Sequence, residues 1–378
     1  METETRSNGG PQTTELRLSS GNGPITRTVL NTPLRDALPS EIPVIDISGI
    51  FSDSVVDRKA AAAQIRDAAM NNGFFYISNH GVPSSVTDNA YTASLDFFRQ
   101  DLDTKLKADT AYSTCFNGYK GPGSQRINPN EGIDERESFS WTYDPRHDPE
   151  IDDAEAIPAE VRRFIKVEDF PWNATTNMPH LKDAIVAYFG ECLRVARALT
   201  RAFALSLDLD EEFFAEKVRY PDASFAFNYY PTLASAPASS TGQDAGQQVS
   251  IGSHTDFQLF TVLWQDAVGG LQVLSRSGQW LRAPPREGTF VVNIGDYLQR
   301  VTNGRYVSTV HRARNTSGRE RVSMPFFWGF GLHESCAVLD SCVGEDGVRL
   351  YDEVGCAEWV NRRVKEMMMM GKLRGSGS

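Results

Sequence analysis

The second half of this 378-residue chain contains seven short β-rich segments separated by turn residues. Gly269-Gly270, Pro284-Pro285 and Ser317-Gly318 mark three of these turns, because glycine and proline interrupt regular structure. Short strands in close succession predict a barrel or a two-sheet sandwich, and an antiparallel jelly roll fits them better than alternating strands and helices. The predicted strands cover residues 225–230, 249–253, 259–264, 271–274, 289–294, 306–310 and 322–330.

The first half mixes strands and helices. Strands are predicted at 42–47 and 73–77, and helical patterns at 60–70, 84–107 and 178–207. In the last of these, apolar residues recur at three- and four-residue spacing over about thirty positions, which is long enough to brace a sheet. The fold class predicted for the whole chain is therefore α+β with a mainly β core.

Two long segments are predicted to be loops. Residues 118–153 are rich in Gly, Pro and charge, and a connection of this length is often functional, for example as a rim or a lid. Residues 234–248 are rich in Ala, Ser, Gly and Gln. The resulting division is a disordered leader at 1–40, a mixed α/β region at 41–165, a helix with the jelly-roll core at 178–350, a C-terminal helix at 351–370, and a flexible tail, which could be an expression remnant, at 371–378.

Composition narrows the classes of partner. Lys and Arg number 38 against 49 Asp and Glu, which gives a net charge of −11 and disfavours nucleic acid or an anionic membrane as the main partner. No apolar run approaches the ~20 residues of a membrane helix, and the start of the chain lacks a secretory pattern, so we expect a cytoplasmic protein. The five cysteines are scattered without C-x-x-C spacing, which indicates neither a disulfide framework nor a zinc ribbon.

One short motif indicates a metal site. His254-Thr255-Asp256 carries an imidazole and a carboxylate two residues apart, and in an extended segment such side chains project from one face. His311 follows a later predicted strand and is the candidate third ligand. Two neutral imidazoles and one carboxylate form the facial set of non-haem Fe(II) oxygenases, which leaves coordination positions open. Taken singly, the triplet is also common in surface turns, and a lone histidine is more often structural.

A second pair of residues indicates a carboxylate receptor. Arg321 and Ser323 lie two apart on a predicted strand, and a guanidinium beside a hydroxyl binds a carboxylate through charge-assisted hydrogen bonds. The alternative interpretation is a surface ion pair. Asn228 and Tyr230 share one face of another predicted strand and could line the same pocket.

These motifs occur together in a recognisable order: Asn-Tyr-Tyr-Pro at 228–231, His-Thr-Asp at 254–256, His-Arg at 311–312 and Arg-Val-Ser at 321–323. With them the chain resembles the isopenicillin N synthase-like group of Fe(II)/2-oxoglutarate-dependent dioxygenases. The resemblance extends from residue 42 to near residue 330. It implies a double-stranded β-helix, a cupin-like jelly roll flanked by helices. It also implies that His254, Asp256 and His311 are the catalytic iron ligands.

The resemblance further implies a cosubstrate site. Arg321 and Ser323 match the residues that hold the distal carboxylate of 2-oxoglutarate, and Asn228 and Tyr230 match residues that steady the same molecule. The implied reaction consumes O2 and converts 2-oxoglutarate to succinate while a small organic molecule, expected to be a secondary metabolite, is hydroxylated, desaturated or rearranged. The loop at 234–248 is longer than in plant members, which affects the expected access of substrate.

Other functions remain open at this point. Isopenicillin N synthase itself has a similar Arg-x-Ser pair yet uses no 2-oxoglutarate, so a cosubstrate-independent iron oxidase is one alternative. A noncatalytic small-molecule binder on the same fold is another. A zinc hydrolase could use the same three ligands, but it would leave Arg321 and Ser323 unexplained. The sequence sets neither the substrate, the reaction outcome nor the oligomeric state.

Four aromatic residues are candidates for contact with substrate. Phe327 lies six residues after Arg321 and shares its predicted face, so it should point into the pocket. Tyr119, Phe139 and Trp141 lie in or beside the predicted loop at 118–153. Ordinary core packing is the alternative for these three.

Overall fold

The computed structural model describes residues 12–21, 24–128, 130–232 and 249–372. Within these ranges the chain forms fifteen strands and eight α-helices. The strands are β1 (Thr13–Leu18), β2 (Ile25–Leu30), β3 (Arg35–Asp36), β4 (Val44–Asp46), β5 (Phe74–Ser78), β6 (Gly118–Lys120), β7 (Glu137–Thr142), β8 (Asp222–Tyr230), β9 (Ile251–His254), β10 (Phe260–Gln265), β11 (Leu271–Leu274), β12 (Trp280–Arg282), β13 (Phe290–Ile294), β14 (His311–Ala313) and β15 (Arg321–Gly329). The helices are α1 (Val55–Asn71), α2 (Ser84–Phe98), α3 (Leu102–Leu106), α4 (Ala159–Arg162), α5 (Phe170–Ala174), α6 (Pro179–Ser206), α7 (Asp296–Val301) and α8 (Cys356–Lys372).

Two sheets form the β core. The larger has the strand order β4-β5-β13-β10-β15-β8-β7-β6, and the smaller has the order β3-β12-β11-β14-β9. Neighbouring strands are antiparallel except for the pairs β4–β5 and β3–β12. At one end the sheets pack together through a buried apolar cluster that includes Phe74 and Val291 of the larger sheet and Leu271 and Val273 of the smaller one.

The main hydrophobic core lies between the larger sheet and the long helix α6. Pro179 begins α6, where its missing N–H and fixed φ are tolerated. Buried apolar residues then recur at helical spacing and face the sheet. Two hydrogen bonds join this helix to β15: the Tyr188 hydroxyl donates to the Met324 carbonyl at 3.0 Å, and Trp328 Nε1 donates to Thr200 Oγ1 at 2.9 Å.

Alternation along the larger sheet separates most of this core from a cavity, although Ala223 and Phe225 of β8 contribute to both. Alternate side chains of β7, β8 and β15 line the cavity, namely Ser138, Ser140, Thr142, Ser224, Ala226, Asn228, Tyr230, Arg321, Ser323, Pro325 and Phe327. The intervening side chains belong to the core, namely Phe139, Trp141, Phe227, Tyr229, Val322, Met324, Phe326 and Trp328. Because successive side chains of a strand point to opposite faces, one strand contributes side chains to both the core and the cavity.

The predicted fold class is confirmed: an α+β chain whose core is a jelly roll flanked by helices. Two predictions of local structure are wrong. Residues 306–310 are not a strand: Val307 N bonds to Ala69 O at 3.0 Å and Ser308 N to Gln299 Oε1 at 2.7 Å, both outside the sheets, and it is the last residue, Val310, whose carbonyl accepts from Leu274 N of β11 at 2.9 Å. The segment 118–153 is not only a loop, because it contains β6 and β7, which complete the larger sheet.

The prediction of a disordered leader at 1–40 is wrong for the residues that the structure describes. β1 and β2 form an antiparallel hairpin, and Leu18 and Val29 bury their side chains against Trp280 of the smaller sheet. The apolar positions that drive this packing are few, and their partners lie far along the chain, so local patterning did not reveal them.

At the C-terminal end, α8 continues through Lys372, beyond the predicted start of the tail at 371. Residues 234–248 and 373–378 lie outside the described residues. In the part of the chain that the structure describes, no helix has the length and apolar character needed to cross a membrane.

Candidate active site

A cavity of about 580 Å³ opens between the two sheets. His254 and His311, at the end of β9 and the start of β14, line it from the smaller sheet. Arg321 and Ser323 of β15 line it from the larger sheet. The cavity therefore brings together the two groups of residues that the sequence analysis predicted separately.

Three ligand atoms converge at one point of this cavity. His254 and His311 are cross-strand partners on β9 and β14, and Asp256 follows β9 by two residues. The Nε2 atoms of His254 and His311 lie 3.6 Å and 3.8 Å from Asp256 Oδ1. The three ligand atoms all lie within 4.8 Å of one another, so a single ion could contact them all.

Backbone carbonyls orient both imidazoles. Nδ1 of His254 lies 2.8 Å from the Gly252 carbonyl, and Nδ1 of His311 lies 3.1 Å from the Thr309 carbonyl. Each Nδ1–H therefore donates to the backbone, which leaves the Nε2 lone pair directed toward Asp256. Burial, together with the neighbouring imidazole of His311, lowers the pKa of His254 and keeps this ring neutral.

The Asp256 carboxylate is oriented by two side chains. Its Oδ2 accepts hydrogen bonds from Thr261 Oγ1 at 2.5 Å and from Asn293 Nδ2 at 2.8 Å, which leaves Oδ1 facing the imidazoles. Burial acts to raise the pKa of Asp256, but the two imidazoles and these hydrogen bonds outweigh it, so the net pKa is lowered. Two imidazoles and a carboxylate, each held by a supporting hydrogen bond, are the donor set that a divalent transition metal requires.

A buried guanidinium lies on the opposite wall of the cavity. Arg321 is 2% exposed, and its Nη1 donates to Ser323 Oγ at 3.4 Å. The guanidinium carbon lies 4.6 Å from the centre of the Tyr230 ring, and the Tyr230 hydroxyl is 3.4 Å from Ser323 Oγ. Arg321 Nε is buried without a hydrogen-bond partner among the described residues. Donors left unsatisfied at a buried cation fit an anionic ligand such as a carboxylate.

Asn228 is held beside this guanidinium by a second arginine. It pairs with Ser323 across β8 and β15, and its Oδ1 accepts a hydrogen bond from Arg136 Nη1. The other terminal nitrogen of Arg136 donates to Gln125 Oε1 at 2.8 Å. Asn228 and Tyr230 thus lie on the cavity wall, as the strand pattern predicted.

The aromatic candidates divide between the cavity and the core. Phe327 lines the cavity, on the same face as Arg321. Tyr119, Phe139 and Trp141 are at most 1% exposed and pack in the main core on the other face of the larger sheet, so their prediction as substrate contacts is wrong. The physical reason is the alternation of β7, where Ser138, Ser140 and Thr142 take the cavity side.

A pair of matched substitutions tests this division. Phe139→Ala should lower the free energy of unfolding by about 3–5 kcal/mol, because it leaves a hole in the core where Phe139 packs edge-on against Phe97 at 4.9 Å. Phe327→Ala should cost less stability, since Phe327 is only partly buried and faces the cavity. Denaturant unfolding measures both values. Equal losses in the two variants would contradict the assignment of the two faces.

Sequence reasoning missed several cavity residues. Asn293 could have been found, since it is a polar residue inside the apolar run of β13. Arg136 and Lys120 gave no such signal, because both occur in charged or Gly-rich segments that resemble solvent-exposed loops. Thr261, on β10, is a hydroxyl in a strand where threonine is common for its β-propensity alone.

Comparisons with known protein families agree with this geometry. Residues 221–329 match the model of the 2OG-Fe(II) oxygenase superfamily, and these residues contain all the candidate ligands and the guanidinium. Residues 42–160 match a second model, described as the N-terminal region of the non-haem dioxygenase in morphine synthesis.

Known proteins similar to this chain include oxidoreductases and solved oxygenase structures. The 2-oxoglutarate-Fe(II) type oxidoreductase ppzC of Metarhizium majus is 63% identical over 364 residues, which cover 96% of this chain and 97% of that protein. Isopenicillin N synthase of a Flavobacterium species is 32% identical over 295 residues, which cover 76% of this chain and 85% of that protein. A Neurospora crassa protein, solved in complex with alpha-KG and 5-formyluracil, shares the fold with a TM-score of 0.68 and 24% identity. The match covers 87% of this chain and 96% of that protein. The chain therefore belongs to the 2OG-Fe(II) oxygenase superfamily, which uses Fe(II) and O2 with 2-oxoglutarate as the usual cosubstrate.

Proposed function

We propose that His254, Asp256 and His311 hold Fe(II), and that Arg321 and Ser323 bind the distal carboxylate of 2-oxoglutarate. The observation that carries this proposal is the convergence of three ligand atoms within 4.8 Å in a cavity whose opposite wall holds a buried guanidinium. When bound, Fe(II) and 2-oxoglutarate supply the activation of O2 and two electrons, with release of succinate and CO2.

The residues of the chain bind and orient. The carbonyls of Gly252 and Thr309 fix the tautomer of the two histidines, and Thr261 and Asn293 fix the rotation of the Asp256 carboxylate. These supports give the metal site its shape before the ligands arrive, which reduces the reorganisation that binding requires.

The cosubstrate and substrate share the remaining volume. Asn228 and Tyr230 lie beside Arg321 and Ser323, and we assign them to the cosubstrate for that reason. Phe327 is assigned to the substrate, because it projects into the cavity six residues beyond Arg321 on the same strand face.

The substrate that we propose is a small organic molecule, in agreement with a cavity of about 580 Å³. The reaction is hydroxylation, desaturation or oxidative rearrangement, and the resemblance to tailoring oxygenases supports a role in secondary metabolism. The net charge of −11 gives no support to a nucleic acid or an anionic membrane as partner.

An anaerobic titration tests the proposal directly. Addition of Fe(II) and then 2-oxoglutarate should produce a visible charge-transfer absorption, and admission of O2 with substrate should release one succinate for each substrate oxidised. The similarity to isopenicillin N synthase supports one second candidate, an iron oxidase that needs no 2-oxoglutarate. Oxidation of substrate at the same rate without 2-oxoglutarate would favour that candidate and contradict our proposal.

A further inference from the structure

Two further cations, Lys120 and Arg136, lie on the cavity wall at the β6–β7 end of the larger sheet. Lys120 of β6 pairs with Ser138 of β7, and Arg136 lies two residues before Ser138, so both project from the cavity face. Across the sheet, Ser138 pairs with Asn228 of β8, and Asn228 pairs with Ser323 of β15. Lys120 is therefore three strand spacings, about 14 Å, from the strand that carries Arg321.

Neither of these two cations forms a direct ion pair with a carboxylate of the described residues, although Asp134 acts on Arg136 and Asp109 acts on Lys120 at longer range. Both hydrogen bonds of Arg136 go to neutral amide oxygens, those of Asn228 and Gln125, and its Nε is buried without a partner. Lys120 Nζ lies 5.1 Å from the centre of the Phe116 ring and forms no ion pair within the described chain. Burial first, and then the charge of Arg136, lower the pKa of Lys120, and these effects outweigh the opposing effect of the Asp109 carboxylate.

The charges around the cavity do not balance. Its described lining residues include five cationic side chains and only two carboxylates, those of Asp222 and Asp256. Fe(II) and 2-oxoglutarate carry equal and opposite charges, so the binding of both leaves this excess unchanged. Arg136 Nε is a buried donor without a partner among the described residues, and an anion bound beside it would compensate part of the cost of that burial.

The cavity also provides apolar surface. Phe327 and Ile127 line the cavity together with Arg136. A ligand that satisfies both kinds of contact has an apolar body and a negatively charged end.

We propose that the substrate of this site, before its oxidation, is a carboxylic acid whose carboxylate is bound by Arg136 and Lys120. This inference rests on the proposed function, since it concerns the substrate of the same site. Arg136 is suited to the role because its planar fork can bind both carboxylate oxygens, while Lys120 adds a point charge. The acid end fixes the position of the apolar part relative to the metal ligands.

The test uses 3-phenylpropanoate and its carboxamide, 3-phenylpropanamide, as probes of equal shape and different charge. Each is titrated calorimetrically into the full chain loaded anaerobically with Fe(II) and 2-oxoglutarate. We expect the wild type to bind the acid at least tenfold more tightly than the amide. Arg136→Met and Lys120→Met should each remove most of that preference and leave the affinity for the amide within twofold. Lys107→Met, at an exposed position outside the cavity, is the matched control and should keep the preference.

Three outcomes would overturn the inference: equal binding of acid and amide by the wild type, a preference that survives in both Met variants, or an Arg136→Met variant that needs as much additional 2-oxoglutarate as Arg321→Ala. The last outcome would assign Arg136 to the cosubstrate.

Lys120 makes no side-chain hydrogen bond in the described structure, so Lys120→Met keeps the test valid even if the Arg136 variant does not fold. The charge-transfer absorption is recorded before the probes are added. Its absence contradicts the proposed function, whereas its presence without an acid preference contradicts this inference alone.

Discussion

Asp256→Ala is expected to abolish substrate oxidation and to weaken Fe(II) binding severely. The substitution removes the only carboxylate at the point where the two Nε2 atoms of the described histidines converge, and it leaves Thr261 and Asn293 without their acceptor. Loss of a supporting hydrogen bond alone typically costs about 10–100-fold in metal affinity, so loss of the ligand itself should cost more. His254→Ala should behave similarly.

The measurement is an anaerobic Fe(II) titration combined with an assay of succinate and product. Asp222→Asn is a matched control, because Asp222 is also a carboxylate on the cavity wall but is hydrogen-bonded to Gln258 rather than to the histidines. This control should retain metal binding. Unchanged iron affinity and turnover in Asp256→Ala would refute the metal site.

Arg321→Ala should raise the concentration of 2-oxoglutarate required for half-maximal turnover by roughly two to four orders of magnitude. Hydrogen bonds to charged groups contribute about 1.5–3 kcal/mol each, and an arginine can make two of them to one carboxylate. Each 1.4 kcal/mol corresponds to about a tenfold change in affinity. Binding of Fe(II) in the absence of 2-oxoglutarate should change little, because Arg321 lies on the opposite sheet from the two histidines.

Arg321→Lys is expected to recover only part of the loss. Lysine keeps the charge but lacks the planar fork, and it cannot stack in the same way over the Tyr230 ring, 4.6 Å from the guanidinium carbon. Arg319→Ala, two residues earlier and exposed, is the matched control and should leave the requirement for 2-oxoglutarate unchanged. If Arg321→Ala has no effect on that requirement, the guanidinium does not hold the cosubstrate.

Spacing by two residues made much of the site predictable. His254 with Asp256, and Arg321 with Ser323, are local pairs, so an extended backbone alone places each pair on one face. The same rule placed Asn228, Tyr230 and Phe327 on the cavity side of their strands. Which faces meet across the sandwich is a property of the tertiary fold, and only the resemblance to a family indicated that arrangement in advance.

Strand β7 and the cavity residues beside it were not predicted, because the local composition indicated a loop although the periodicity indicated a strand. In β7, Ser138, Ser140 and Thr142 alternate with Phe139 and Trp141, which is a strand pattern, but the surrounding Gly, Pro and charged residues suggested a loop. Lys120 and Arg136 could not be predicted at all. Their position depends on how β6 and β7 join the edge of the larger sheet, and no local pattern encodes that pairing.

The two candidate histidine ligands belong to the smaller sheet and the guanidinium to the larger one, so 2-oxoglutarate bound to the metal and to Arg321 would connect the two sheets. Ligands that bind only the folded state stabilise it in proportion to their occupancy. Fe(II) alone would connect the sheets only through Asp256 and its hydrogen bonds to Thr261 and Asn293, whereas Fe(II) with 2-oxoglutarate would add a second connection at Arg321 and resist their separation more strongly. Thermal unfolding should then report cosubstrate occupancy, and cellular levels of 2-oxoglutarate would influence how long the enzyme survives as well as how fast it works.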